Sequence, residues 1–203
     1  MSTQGAPAAR RGRPRSAKAE RAIVQATLEL LVEDGYRALT VERVRERAGV
    51  GKATIYRRWG SKEELVKAAV AHLHADLTVP DTGSLRKDFA ELAAGNLAIA
   101  AETGAASVMP RLMSESVDEP ELHAIFYANL VEPRRRALRT VLERARDRGE
   151  VRDNADLELL VDALAGPVVY RLIINGGDTG GLEDMSARLL EMVLAGVGPW
   201  SAS

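Results

Sequence analysis

The 203 residues hold no cysteine, which excludes disulfides, thiolate metal sites and cysteine nucleophiles. Histidine is scarce as well. His72 and His74 stand two apart, which on a helix points them to different sides, and His123 is remote, so no zinc site is expected. No stretch approaches the roughly 18 uncharged apolar residues of a membrane span, and the first residues lack the apolar run of a signal peptide. A cytoplasmic protein without membrane contact is therefore expected. Neither a glycine-rich phosphate loop nor a nucleophile elbow occurs. Glu115, Asp118, Glu119 and Glu121 cluster around a helix start, where acids favour the dipole, and read as a solvated face rather than catalytic carboxylates. No enzyme and no cofactor is expected. Nothing repeats at a fixed period, and strand-like alternation is missing.

What the chain does have is helical patterning and an uneven distribution of charge. Apolar residues make up 46% and charged residues 28%, enough for a sizeable core with an ordinary soluble surface. The net charge of -1 conceals a basic head on an acidic body. Residues 1–62 carry 14 Lys and Arg against 6 Asp and Glu, which leaves 14 against 23 for the rest. Such segregation marks a module that neutralises phosphates.

Ser16 is placed to cap a first helix whose Ile23, Ala26, Thr27, Leu30 and Leu31 form one apolar stripe, ended by Asp34-Gly35. Thr40 caps a second, short helix with Val41, Val44 and Ala48 inward, and Gly49-Val50-Gly51 breaks it. A third helix from Lys52 to about Arg58 buries Ile55 and Trp59, which leaves a small, basic outer face. Ser61-Lys62-Glu63-Glu64 matches a capping box and opens a fourth helix through about His74. Beyond the breaker Pro80-Asp81-Thr82-Gly83 the spacing predicts helices over 84–103, 106–116, 120–148, 154–175 and 182–195. Pro133 and Pro167 fall inside two of them, where kinks or short interruptions are expected. Helix, glycine-bearing turn and helix with a basic outer face is the helix-turn-helix layout, whose second helix enters the major groove.

Leu39-Thr40-Val41 through Ala48-Gly49-Val50, then Lys52-Ala53-Thr54-Ile55-Tyr56-Arg57-Arg58-Trp59 and Ser61-Lys62-Glu63-Glu64-Leu65, resemble the signature of the TetR family over about residues 16–75. The resemblance implies an all-α protein of about nine helices: a three-helix DNA-binding domain joined to a larger ligand-binding and dimerisation domain. The corresponding partition is a flexible basic arm over 1–15, a DNA-binding domain over 16–62, and an effector-binding and dimerisation domain over 63–203. Carried over by position, Lys52, Ala53, Arg57 and Arg58 match places that meet base edges or nearby backbone. Thr40, Thr54, Tyr56 and Lys62 match phosphate-contacting ones. Arg57 ranks above Arg58 for base contact. Gly51 stands where serine is commoner, and Glu42 stands where some relatives present a DNA-contacting side chain; its carboxylate serves its own helix dipole instead.

Ahead of the head, Arg11-Gly12-Arg13-Pro14 resembles the core of an AT-hook, so Arg11 and Arg13 are expected in a narrow minor groove, the alternative being a disordered basic tail that adds only non-specific affinity. In the body, Leu92, Asn96, Ile99, Met109, Met113, Phe126, Leu130 and Tyr170 fall on helices that surround an effector pocket in the resembling family, while apolar packing alone would also explain them. Leu159, Leu160, Ala163, Leu164, Val168 and Leu172, with Leu189, Leu190 and Val193, give two apolar faces matching the family's dimer bundle. The expected partners are double-stranded DNA, a second copy of the chain and a small-molecule effector. A homodimeric repressor on a palindromic operator is the leading reading; a ligand-independent or activating regulator is the alternative.

Overall fold

Residues 13–73, 77–176 and 178–197 are described by a computed structural model, and all regular structure among them is helical. Helix α1 (Arg13–Glu33) starts three residues ahead of Ser16, the cap offered by the sequence. Pro14 permits this, because a proline in the first turn withholds an N–H that has no partner within the helix anyway. The backbone of Arg13 thus belongs to α1 rather than to an extended arm, and Arg11 lies outside the described residues. The expected stripe of α1 is buried throughout, Thr27 included, whose hydroxyl donates to the Ile23 carbonyl at 2.8 Å.

A single turn, α2 (Gly35–Ala38), reverses the chain after α1. Gly35 has φ +83°, a backbone conformation strained for any residue with a Cβ, and a Cβ there would also displace the side-chain ends of Glu115 and Arg111, so glycine is favoured. Then follow α3 (Val41–Ala48), α4 (Lys52–Tyr56) and α5 (Lys62–His72). Thr40 caps α3 by accepting from the Arg43 N–H, and Gly49 closes it in the left-handed conformation at φ +63°. At α5 the capping box is shifted by one residue. Ser61 accepts from the Glu64 N–H at 3.2 Å, while Glu64 reaches back to the Gly60 N–H at 2.7 Å rather than to that of Ser61.

The body consists of α6 (Leu85–Thr103), α7 (Ala105–Ser116), α8 (Pro120–Phe126), a π-helical turn (Tyr127–Val131), α9 (Glu132–Asp147), α10 (Leu157–Ile174) and α11 (Leu182–Val197). Taking 120–147 as one rod and setting the one-turn α2 aside, nine helices are present among the described residues. Pro133 has no N–H for the carbonyl of Asn129 four residues back, and the rod widens into the π turn just before it. Pro167 was expected to interrupt its helix in the same way, yet α10 runs through it unbroken.

Two buried clusters organise the packing. One joins Ile23, Leu31, Val44, Ile55, Leu65, Val66, Val70 and Leu73 of the head to Val108, Leu112, Leu122, Phe126 and Leu130 of α7, α8 and the π turn. Helix α5 therefore packs with the head, across position 62. The second cluster holds α6, α9, α10 and α11 together through Phe89, Leu92, Leu138, Val141, Leu142, Leu160, Leu164 and Leu190.

Asp88, fully buried at the start of α6, pins the breaker before it. Its Oδ1 accepts from the Thr82 N–H at 2.6 Å and the Thr82 hydroxyl at 2.7 Å. Burial pushes this carboxyl up, but the Thr82 bonds and the Arg148 guanidinium outweigh it and hold it below the ordinary aspartate value. Asp88→Ala strands the Thr82 donors and is expected to cost about 2 kcal/mol, or about 4 to 8 °C in melting temperature. Because the folded-state value is depressed, the carboxylate stabilises the fold above the unfolded aspartate value and loses that contribution as pH falls through the depressed one. Wild-type and variant melting temperatures, followed by circular dichroism, should converge in acid.

Candidate nucleic-acid interface and effector cavity

The outer face of α4 is set by what its inner face must bury. Ile55 is wholly buried and Trp59 nearly so, which commits one side of a very short helix to the core. Lys52, Ala53, Tyr56, Arg57 and Arg58 are consequently exposed, with Thr54 half-buried beside them. Thr40 is exposed at the cap of α3; its oxygen accepts the Arg43 N–H and its hydroxyl proton remains available to a phosphate.

The basic residues here differ in how far they are already neutralised. In α3, Arg43 pairs with Asp34 at 2.6 Å, Arg45 with Glu42 at 2.8 Å, and Arg47 with Glu33 at 2.6 Å. Glu42 thus supports its own helix, as expected. Arg58 pairs with Glu20 of α1 and lies over the Trp59 ring. Lys52 stands over the Tyr56 ring, 5.7 Å from its centre. Among the described residues no acid pairs with Arg57. Arg57, the C-cap of α4, thus presents an exposed guanidinium that no acid neutralises, whereas that of Arg58 is paired.

Lys62 is placed differently from Thr40, Thr54 and Tyr56, the other residues expected at phosphates. Its ammonium sits 3.9 Å from the centre of the Tyr36 ring and donates to the Tyr36 carbonyl at 3.3 Å. Tyr36 is the hub between head and body. Its N–H donates to Glu115 and its hydroxyl to Glu121 at 3.4 Å, while neighbouring Arg37 pairs with Glu119. Burial and the surrounding carboxylates push the phenol up to about 12, so it remains a neutral donor. Three of the four acids expected on a solvated face therefore form the seat of the head. Nothing in the residue order signals this, because α2 meets α7 and the start of α8 only through the fold.

The body holds a partly open cavity of about 530 Å³ between α6, α7, α8, the π turn, α9, α10 and α11. Leu92, Asn96, Met109, Met113, Phe126 and Leu130 line it, as their positions implied. Ile99 and Tyr170 do not. On α10 the lining is Leu164, Ala165, Gly166, Val168, Val169 and Leu172, and Tyr170 is turned out of that arc, 64% exposed. On α6 the lining arc spans Leu92, Ala93, Asn96, Leu97 and Ala100, and Ile99 falls just beyond its edge. Sequence reasoning missed Arg134 and Arg135, which both line the cavity. In sequence they belong to a run, Arg134-Arg135-Arg136, that reads as surface charge.

The apolar faces near the C-terminus are divided in a way the sequence did not indicate. Leu160, Leu164, Leu172 and Leu190 are buried within the chain itself. Leu159, Tyr170, Ile173, Ile174 and Met192 remain exposed. On α10, positions 159, 163, 166, 170 and 173 follow the four-three spacing of a helix-pairing seam.

Residues 23–69 match the model of the bacterial regulatory proteins of the tetR family, and residues 79–193 match that of the tetracyclin repressor-like C-terminal domain. The HTH-type transcriptional regulator YdeS of Bacillus subtilis is 36% identical over 170 residues, covering 83% of this chain and 85% of its own. A DNA-binding transcriptional repressor, TetR, of Mycobacteroides abscessus is 32% identical over 168 residues, covering 82% and 86%. Among solved structures, the TetR family transcription regulator SCO0332 superposes with a TM-score of 0.65 at 27% identity, covering 90% of this chain and all of its own.

Proposed function

Since the chain belongs to the tetR family of bacterial transcriptional regulators, we propose that it is a homodimeric repressor that grips a palindromic operator and is released by a small apolar molecule. The observation that carries this reading is that α7 and α8 serve two purposes. Met109, Met113 and Phe126 wall the cavity, while Glu115, Glu119 and Glu121 on the same segment hold Tyr36 and Arg37 of the head. An occupant that shifts this wall shifts the seat of the head, and with it the separation of the two recognition helices in a dimer.

The exposed seam of α10 supports the dimer. This helix is apolar on nearly every side, and one side remains uncovered within the chain. The size and apolar lining of the cavity favour a ligand-responsive regulator over one without an effector. We read the cavity as non-catalytic: its Ser186 hydroxyl donates to the Leu182 carbonyl, and Asp162 is engaged by Arg135. With DNA as its partner, and no helix among the described residues long and apolar enough to cross a membrane, we place the protein in the cytoplasm.

Selection of bound duplexes from a random library at near-physiological salt tests this function, because non-specific phosphate attraction is then suppressed. A palindrome with half-sites about one helical turn apart is the expected product. Enrichment of A·T-rich DNA without symmetry would refute the dimeric repressor.

A further inference from the structure

Two arginines line the cavity, and they differ in their partners. Arg135 is neutralised by Asp162 and Glu158 across the groove between α9 and α10. Arg134 has no acid partner among the described residues. Its guanidinium donates to three neutral oxygens, each at 3.1 Å: Asn96 Oδ1 on α6, the Leu130 carbonyl of the π turn, and the Leu73 carbonyl at the end of α5. A guanidinium has five N–H groups, so two are left over. Burial lowers this group to about 10, which leaves it charged at neutral pH.

A cation held among neutral acceptors, against an apolar wall and without a counterion, is an incomplete arrangement. An anionic oxygen group completes it, because two parallel charge-assisted bonds match the planar fork. We propose that the effector is an amphipathic monoanion, an apolar body with one carboxylate-like group, and that Arg134 receives that group on its two spare N–H groups and is drawn toward the cavity, away from the Leu73 carbonyl. This rests on the ligand-released reading above and gives it a chemical class and a path. A second negative charge finds no counterpart, since the other lining cation is already paired. Leu73 caps α5, the helix that directly follows the recognition helix, so loss of the Arg134 bond loosens the link between body and head.

Two fluorescent probes with one ring skeleton separate the possibilities on the full-length protein: anilinonaphthalene sulfonate, which is anionic, and N-phenylnaphthylamine, which is neutral. Wild type is expected to bind the sulfonate about tenfold or more tightly than the neutral probe. Arg134→Met should bring the two affinities together while keeping that for the neutral probe. Met109→Trp, which fills the cavity from another wall, should weaken both probes and so locate the binding.

Equal affinities in wild type, or a preference that survives Arg134→Met, would overturn the proposal while leaving an effector cavity in place. Binding of neither probe would instead remove the effector cavity itself. Should Arg134→Met not fold, Arg134→Lys keeps the charge without the fork, and a preference undiminished in that variant would also count against bidentate capture. Hydrogen exchange reads the path: the sulfonate should speed exchange at residues 70–73 in wild type and not in Arg134→Met. Unchanged exchange in wild type would sink the link to Leu73.

Discussion

A protein carrying Leu159→Glu together with Met192→Glu is expected to be monomeric and to lose on the order of a thousandfold in affinity for the full operator. Both side chains are largely exposed, at 63% and 73%, so the folded chain loses little by the change. Exposed substitutions of this kind usually alter stability by less than about 0.5 kcal/mol, and the melting temperature should stay near that of wild type. In the proposed dimer the same positions would be buried, and two glutamates per chain would face two more across the symmetry axis, without partners.

Separation leaves each head to bind its half-site alone. The second contact is then no longer intramolecular, which removes an avidity of about a hundredfold to ten-thousandfold. Light scattering should fall from the dimer mass to that of one 21.9 kDa chain. Titration of the full palindrome and of a single half-site should then give similar affinities. A wild-type protein already monomeric at micromolar concentration would disprove the symmetric arrangement before any mutant is made.

Arg57→Ala is expected to cost about 1 to 3 kcal/mol per half-site and to relax one operator position in each. The reasoning is electrostatic. Arg58 arrives at DNA already paired with Glu20, and the α3 arginines with Asp34, Glu42 and Glu33, so each must exchange one partner for another. Arg57 exchanges only water, and it lies on the face of α4 opposite the buried Ile55. Arg58→Ala should accordingly weaken binding less, since Arg58 has to give up Glu20 to engage DNA and so gains less from it. Anisotropy titrations against the selected duplex and its single-base variants distinguish a base reader from a phosphate contact. A phosphate contact weakens all sequences alike and lowers the salt slope. Uniform weakening by Arg57→Ala would move it to the second group.

The legible part of the protein is the part where neighbours in space are neighbours in sequence. Thr40, Gly49 and Ser61 mark the limits of their helices because a cap acts on N–H groups two or three residues away, and a left-handed glycine ends the turn it belongs to. Ile55 and Trp59, four apart, fixed which side of α4 faces out, and so marked its exposed basic side before any tertiary contact was known. Six of the eight residues expected around an effector line the one apolar cavity described above, since helical spacing puts them on one side of their helices.

Sequence alone thus determined the all-helical class, the caps that bound α3 and α5, and the exposed basic face beside α4, because those follow from periodicity, caps and local charge. Tertiary structure alone decided three things. It drew Glu115, Glu119 and Glu121 from an apparent solvated face into the seat of the head, because α2 arrives there from 80 residues away. It divided the apolar residues of α10 between the chain's own core and an open seam, because a helix apolar all round does not specify which side a neighbour will cover. It also turned Arg134, one of three consecutive arginines, inward against an apolar cavity, because only the packing of α5, α6 and the π turn supplies the neutral oxygens that hold it there.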